Sequence, residues 1–61
     1  MKQHDAVVLI EEFKDVPLFS IGCIVEIFNN GESYLVEWYD DSGDSMGIDS
    51  VKPNEIKLYE S

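Results

Sequence analysis

An all-β fold is predicted by three features of this 61-residue sequence. Segments rich in β-branched and aromatic residues follow one another, residues typical of turns separate them, and no long stretch repeats its apolar positions at helical spacing. Short strands at close intervals are typical of small barrels and sandwiches. One strand, one long connection and then successive hairpins favour a five-stranded SH3-like β-barrel, which we expect to form a single domain over residues 1–61.

The predicted strands cover residues 5–10, 21–28, 33–40, 45–51 and 57–59. Asn29 and the two residues that follow it tolerate positive φ and predict a tight hairpin, and residues 41–44 predict a second one. Residues 11–20 form a longer connection, because Pro17 and several charges oppose a continuous strand there. A single helical turn that begins at Pro53 is expected just before the last strand.

Strict alternation within the third strand predicts the core. Tyr34, Val36 and Trp38 share one face, whereas Glu37 lies on the other face and would be costly to bury unpaired. The aromatic face is therefore expected to point inward. The same reasoning gives the remaining core candidates, which are Val7, Leu9, Cys23, Val25, Ile27, Ile48, Val51 and Ile56.

The charge balance is strongly negative. Thirteen acidic residues oppose four basic ones, and the net charge is −9. With 44% hydrophobic residues, the composition is that of a folded acidic protein and not of a disordered tail. Such acidity either keeps a small domain dispersed or attracts a basic partner. The expected partner contacts lie on the loops and their flanks, at Glu11, Glu12, Asp15, Tyr39, Asp40, Asp41 and Asp44.

Catalysis and metal binding find little support in the sequence. His4 is the only histidine and Cys23 the only cysteine, so a nucleophile, its base and an orienting group cannot all be named. Residues 40–44 resemble the start of a calcium loop, but Ser45 replaces the glycine required at the sixth position and Val51 the carboxylate required at the twelfth. We therefore expect a turn there, no enzyme activity, no metal and no cofactor.

Nucleic acid and membranes are also unfavourable partners. Contacts to phosphate groups need cationic side chains, and the sequence has four lysines and no arginine. The first apolar run stops at Ile10, too early for a signal peptide or a membrane span. Together with an unpaired Cys23, this predicts a cytoplasmic protein.

The aromatic residues allow a different function. Phe28, Tyr34, Trp38 and Tyr39 would suit a tudor-like cage for a methylated peptide, with acidic residues complementing the cation. Alternation favours burial of Tyr34 and Trp38 over this interpretation. Tyr39 is expected to face outward and is the best candidate for a contact aromatic.

The order of motifs resembles a known family. A glycine and an apolar strand occupy residues 22–28, and a hairpin and a Tyr-x-Val-Glu-aromatic pattern follow at 30–38. The pattern ends with Gly43, an apolar strand and Val-Lys-Pro-x-x-Ile at 51–56. This pattern resembles the small bacterial family designated domain of unknown function 4926, over nearly the whole chain. The family usually has a glycine three residues before Gly22, where this chain has Phe19.

The resemblance implies an SH3-like barrel, and the toxin-like genes often said to neighbour its members suggest an immunity or antitoxin role. The sequence therefore predicts a small acidic protein-interaction domain that binds a basic protein, such as a nuclease toxin. The alternatives are a tudor-like reader of methylated peptides and a structural barrel that associates with itself.

Overall fold

A computed structural model describes residues 1–60 and confirms the predicted all-β class. One short 3-10 turn, Pro53–Glu55, lies just before the last strand, as the proline predicts. The strands are β1 (Ala6–Leu9), β2 (Ile21–Phe28), β3 (Ser33–Tyr39), β4 (Ser45–Val51) and β5 (Ile56–Leu58). The bounds of β2 and β4 agree with those expected from the turn residues around them.

The five strands form one antiparallel sheet in the order β4-β3-β2-β1-β5. β4 and β5 are therefore its two edges. No ladder joins them within residues 1–60, so the sheet is not closed. Closure into an SH3-like barrel stays a prediction, and both edges keep backbone groups without a strand partner.

The hairpin between β2 and β3 adopts the expected conformation. Asn29 and Asn30 both lie in the left-handed region, with φ of 49° and 58°. Asparagine tolerates this region better than most residues because its short polar side chain bonds locally. The N–H groups of Gly31 and Glu32 both donate to the carbonyl oxygen of Phe28, at 3.0 Å each. Local chemistry therefore sets the register of β2 against β3.

The core surrounds Trp38, whose side chain is 0% exposed. Its indole Nε1 has no hydrogen-bond partner within residues 1–60, which costs stability at the centre of the core. Phe13 and Val16, in the long connection between β1 and β2, pack against this cluster, a contribution that the sequence did not predict. The buried cluster consists of Val7, Leu9, Ile24, Tyr34, Val36, Trp38, Val51 and Ile56.

A register shift in β2 makes part of the predicted core wrong. Ile24 pairs with Val36 but Glu26 pairs with Leu35, so Val25 is an extra residue in a β-bulge. Before the bulge Ile24 faces the core and Cys23 lies on the outer face opposite Glu37. Cys23 and Val25 are thus not core residues. Ile27 lies beyond the bulge and packs against the core as predicted.

Ile48 was also assigned wrongly to the core. It pairs with Glu37, on the outer face of the edge strand β4, and is 51% exposed. Alternation along β4 instead points Val51 and Asp49 inward, opposite Tyr34 and Val36.

Gly22 allows the backbone of β2 to pack closely against Val36 and Trp38. A Cβ atom at this position would lie 2.6 Å from Val36 Cγ1 and 2.7 Å from Trp38 Cε3. Side chains do not approach this closely without displacement, so the glycine is required by the packing of the two core residues.

Within residues 1–60, no helix has both the length and the apolar character needed to cross a membrane.

Candidate protein-binding surface

Asp40 organises the turn between β3 and β4. Its Oδ1 accepts the backbone N–H groups of Ser42 and Asp44, at 2.9 Å each. The Gly43 N–H donates to the Asp40 carbonyl oxygen at 2.9 Å. These bonds support the interpretation of the segment as a turn, because aspartate commonly fixes a turn in this way. The Asp41 side chain is exposed in the same turn.

Tyr39, the last residue of β3, is held in place by Glu37. Its hydroxyl donates to Glu37 Oε1 at 3.0 Å, and the Ser45 hydroxyl donates to Oε2 at 2.8 Å. The hydrogen bond to Glu37 is the largest cause that raises the pKa of Tyr39 above its ordinary value of 10.0, followed by burial and by the charges of Glu37 and Cys23. Tyr39 is therefore a neutral, oriented ring at physiological pH.

Tyr39, Asp40 and Asp41 line a groove of about 520 Å³, which we call the acidic groove. The long connection between β1 and β2 contributes Leu18 and Phe19 to its lining, and β4 contributes Met46. The fold thus brings three of the predicted contact residues together with exposed apolar side chains.

A second groove, which we call the β5 groove, has a volume of about 540 Å³. Val8 of β1, which is only 8% exposed, is its most buried lining residue. Phe19 lines this groove as well as the acidic groove and is the residue that the two linings share. The other lining residues are Lys57, Leu58, Tyr59 and Glu60.

Phe19 is the most unusual residue of this surface. Its side chain is 71% exposed and its φ is 67°, in the left-handed region that bulky side chains rarely adopt. The Phe19 N–H donates to the Leu9 carbonyl oxygen at 2.8 Å, and the Leu9 N–H donates to the Ser20 carbonyl oxygen at 3.0 Å. These bonds hold the strained backbone. Sequence reasoning did not identify Phe19 as a contact residue, and the only signal was that it stands where the pattern that the sequence resembles usually has a glycine.

Asp15 lies in a smaller neighbouring groove of about 200 Å³, which Met46 also lines. Here Lys14 Nζ lies 3.4 Å from Asp49 Oδ1, an exposed ion pair that adds little stability. The remaining predicted contacts lie outside all three grooves, at Glu11, Glu12 and Asp44. The structure therefore brings three of the seven predicted residues together in the acidic groove, with Asp44 hydrogen-bonded to Asp40 in the adjoining turn, and places Asp15 in a separate groove.

The aromatic residues of the suggested cage do not come together at the surface. Trp38 is 0% exposed and Tyr34 is 7% exposed, so both belong to the core as alternation predicted. Phe28 is exposed at the end of β2, whereas Tyr39 lines the acidic groove. A methyl-lysine cage needs several rings that face one open space.

In the part of the chain that the structure describes, no group of three or more histidine, cysteine, aspartate or glutamate side chains is arranged to hold a metal ion. The Cys23 thiol donates to the backbone carbonyl oxygen of His4, at 3.5 Å. The acidic groove itself combines negative charge, one oriented ring and exposed apolar surface.

Comparison with protein-family models, with curated proteins and with solved structures gave no match for this chain.

Proposed function

We propose that this chain is a non-catalytic cytoplasmic protein-interaction domain that binds a basic protein partner. An immunity or antitoxin role with a nuclease toxin as the partner is part of the proposal, as is membership of the family designated 4926. The observation that carries the proposal is the acidic groove, where Asp40 and Asp41 lie beside Leu18, Phe19 and Met46.

Charge supports a basic partner. The net charge is −9, and no lysine of residues 1–60 lines the acidic groove. Complementary charge accelerates association by roughly 10–1,000-fold and rejects partners of the same sign. Basic active-site clefts, such as those of nucleases, are complementary to this surface, whereas nucleic acids are repelled.

The exposed apolar side chains support a protein and not a small cation as the partner. Leu18, Phe19 and Met46 are 47%, 71% and 41% exposed. Protein interfaces typically combine an apolar centre with a polar rim, and large aromatic side chains often supply much of the binding energy. Asp40 and Asp41 would form that rim.

The proposal is tested by copurification followed by measurement on the purified pair. The tagged chain is expressed with the products of neighbouring genes, the captured protein is identified, and its Kd is measured at increasing salt. The partner should be basic, and its affinity should fall steeply as salt screens the charges. Binding that does not respond to salt would contradict the electrostatic mechanism.

A matched pair of variants locates the contact. Asp41→Asn and Glu12→Gln each remove one negative charge, but only Asp41 lines the acidic groove. Asp41→Asn should weaken binding several-fold more than Glu12→Gln, because a charged hydrogen bond contributes about 1.5–3 kcal/mol and a distant charge far less. Equal effects would place the partner elsewhere.

A further inference from the structure

We infer that the acidic groove and the β5 groove act as one site for an extended segment of the partner, which places a cationic side chain in the acidic groove and an apolar side chain in the β5 groove. This inference rests on the proposed function and specifies what the partner presents. Phe19 would lie between the two bound side chains.

The first argument is continuity. Phe19 lines both grooves, and their volumes are similar, about 520 and 540 Å³. The two spaces therefore share Phe19 in their lining, and each is larger than a single amino-acid side chain. A ligand that fills both would contact Phe19, which is 71% exposed.

The second argument is the difference in chemistry between the two grooves. The acidic groove has two carboxylates and the Tyr39 ring, which suit an arginine that pairs with a carboxylate and stacks on an aromatic face. In the β5 groove the charges of Lys57 and Glu60 offset each other, and Val8, Leu58 and Tyr59 offer apolar surface. That groove suits a leucine-like side chain.

The third argument is shape. In an extended segment, side chains two residues apart point to the same side and are separated by roughly 6.5–7 Å, enough to pass on either side of one aromatic ring. A helix is a cylinder of roughly 10 Å, wider than the spacing at which an extended segment presents side chains to one face. The site therefore favours a segment of the form Arg-x-Leu in extended conformation.

The fourth argument is the strain at Phe19. A non-glycine residue in a sparsely populated backbone region costs stability and commonly marks a functional position. Phe19 recovers little of this cost by burial, because most of its side chain is exposed. A contact made on binding would explain why an aromatic ring occupies this position.

Charge distinguishes this occupant from the other candidates. A second copy of the chain would bring another net charge of −9 to the same surface, and an anionic membrane would be repelled for the same reason. A segment that carries a cation is attracted. Sedimentation of the isolated chain and binding to anionic lipid vesicles are therefore controls, and a dimer that buries Phe19 or vesicle binding through it would overturn the inference.

The test uses the full chain, labelled for NMR, and synthetic peptides with blocked ends in which Arg-Ser-Leu lies within a glycine-serine host. The amide signals of Phe19, Asp41 and Leu58 should shift on titration. Replacing either the arginine or the leucine of the peptide by serine should weaken binding roughly tenfold, because each removes one charged contact or one buried apolar side chain. Placing the arginine and leucine side by side should weaken it similarly.

Two protein variants complete the test. Phe19→Ala should weaken peptide binding roughly tenfold, as expected for an aromatic anchor. Phe28→Ala removes another exposed phenylalanine that lines neither groove and should leave the affinity within about twofold. Peptides that bind equally well with or without the leucine, signals that shift only near Phe28, or no peptide binding at all would overturn the inference.

The same variants separate this inference from the proposed function. If the basic partner binds Phe19→Ala as well as the unchanged protein and still responds to salt, the proposed function stands and the extended-segment site fails. If no salt-dependent basic partner is found, the proposed function itself fails.

Discussion

Two residues show how single positions adapt this chain to its fold and to its surface. At Gly22 the absence of a side chain lets Val36 and Trp38 pack against the backbone. At Phe19 a large side chain occupies a backbone conformation that suits glycine better. The glycine at position 22 favours stability, whereas the phenylalanine at position 19 lowers stability and exposes an aromatic ring.

Gly22→Ala should destabilise the protein by about 1–3 kcal/mol, the usual cost of overpacking. The added Cβ would meet two buried side chains and the Glu37 carbonyl oxygen, at 3.0 Å or less. Urea unfolding followed by the fluorescence of the single tryptophan, Trp38, measures the change. Ser50→Ala, at an exposed position of β4, is the control and should change stability by less than about 0.5 kcal/mol. Equal stability of the two variants would show that the neighbouring core side chains move to accommodate the added Cβ.

Phe19→Gly should be more stable than Phe19→Ala by about 1 kcal/mol. Both variants remove the ring, but only glycine adopts a φ of 67° without strain. Thermal and urea unfolding of the two proteins give the comparison. An alanine variant as stable as the glycine variant would mean that the backbone at this position relaxes to negative φ.

The strands show which features of the fold can be predicted from the sequence. Turn residues mark strand ends directly, so the bounds of β2 and β4 were predictable. The bulge at Val25 was not predictable, because nothing in a run of consecutive apolar residues marks which of them is the extra residue without a partner on the next strand. That single insertion exchanged the faces of Cys23 and Ile24 and caused the principal error in the predicted core.

The candidate surface was predictable to a smaller extent. The carboxylates of the β3–β4 turn stood out by composition and position, and Tyr39 by alternation. Their proximity to Phe19 depends on how the long connection folds back over the sheet, which no local pattern encodes. Glu11 and Glu12 illustrate the limit, since they belong to the same connection but lie outside the grooves.

The β3–β4 hairpin gives a prediction that depends on pH. Because the pKa of Tyr39 is raised in the folded protein, its contribution to stability is fully present below the ordinary pKa of 10.0 and is lost as pH rises through the higher folded value. Glu37→Gln removes the charged acceptor and should lower the pKa of Tyr39 towards the ordinary value. Alkaline titration of phenolate absorbance measures this shift, with Tyr39→Phe to identify the signal. An unchanged titration would exclude Glu37 as the cause.

For the molecule as a whole, net charge should make salt act in opposite directions on folding and on binding. Salt screens the repulsion among carboxylates over a distance of about 8–10 Å and should stabilise the isolated chain. A gain of about 1 kcal/mol would raise the Tm by roughly 4–8 °C in a domain of this size. The same salt should weaken the complex with a basic partner.

Thermal unfolding at increasing sodium chloride concentration provides the measurement. The double variant Glu11→Gln with Glu12→Gln carries two fewer negative charges and should respond less to salt. A Tm that falls with salt would mean that ion pairs such as Lys14–Asp49 outweigh the repulsion.

The open sheet has a further consequence for how the protein behaves in concentrated solution. The outer margins of β4 and β5 can each template the addition of a foreign strand, and mutual repulsion between copies opposes it. Acidification neutralises the carboxylates and removes that protection, so fibrous aggregates should form first at low pH. Substitutions that remove negative charge to weaken a complex should therefore also make the free protein aggregate sooner.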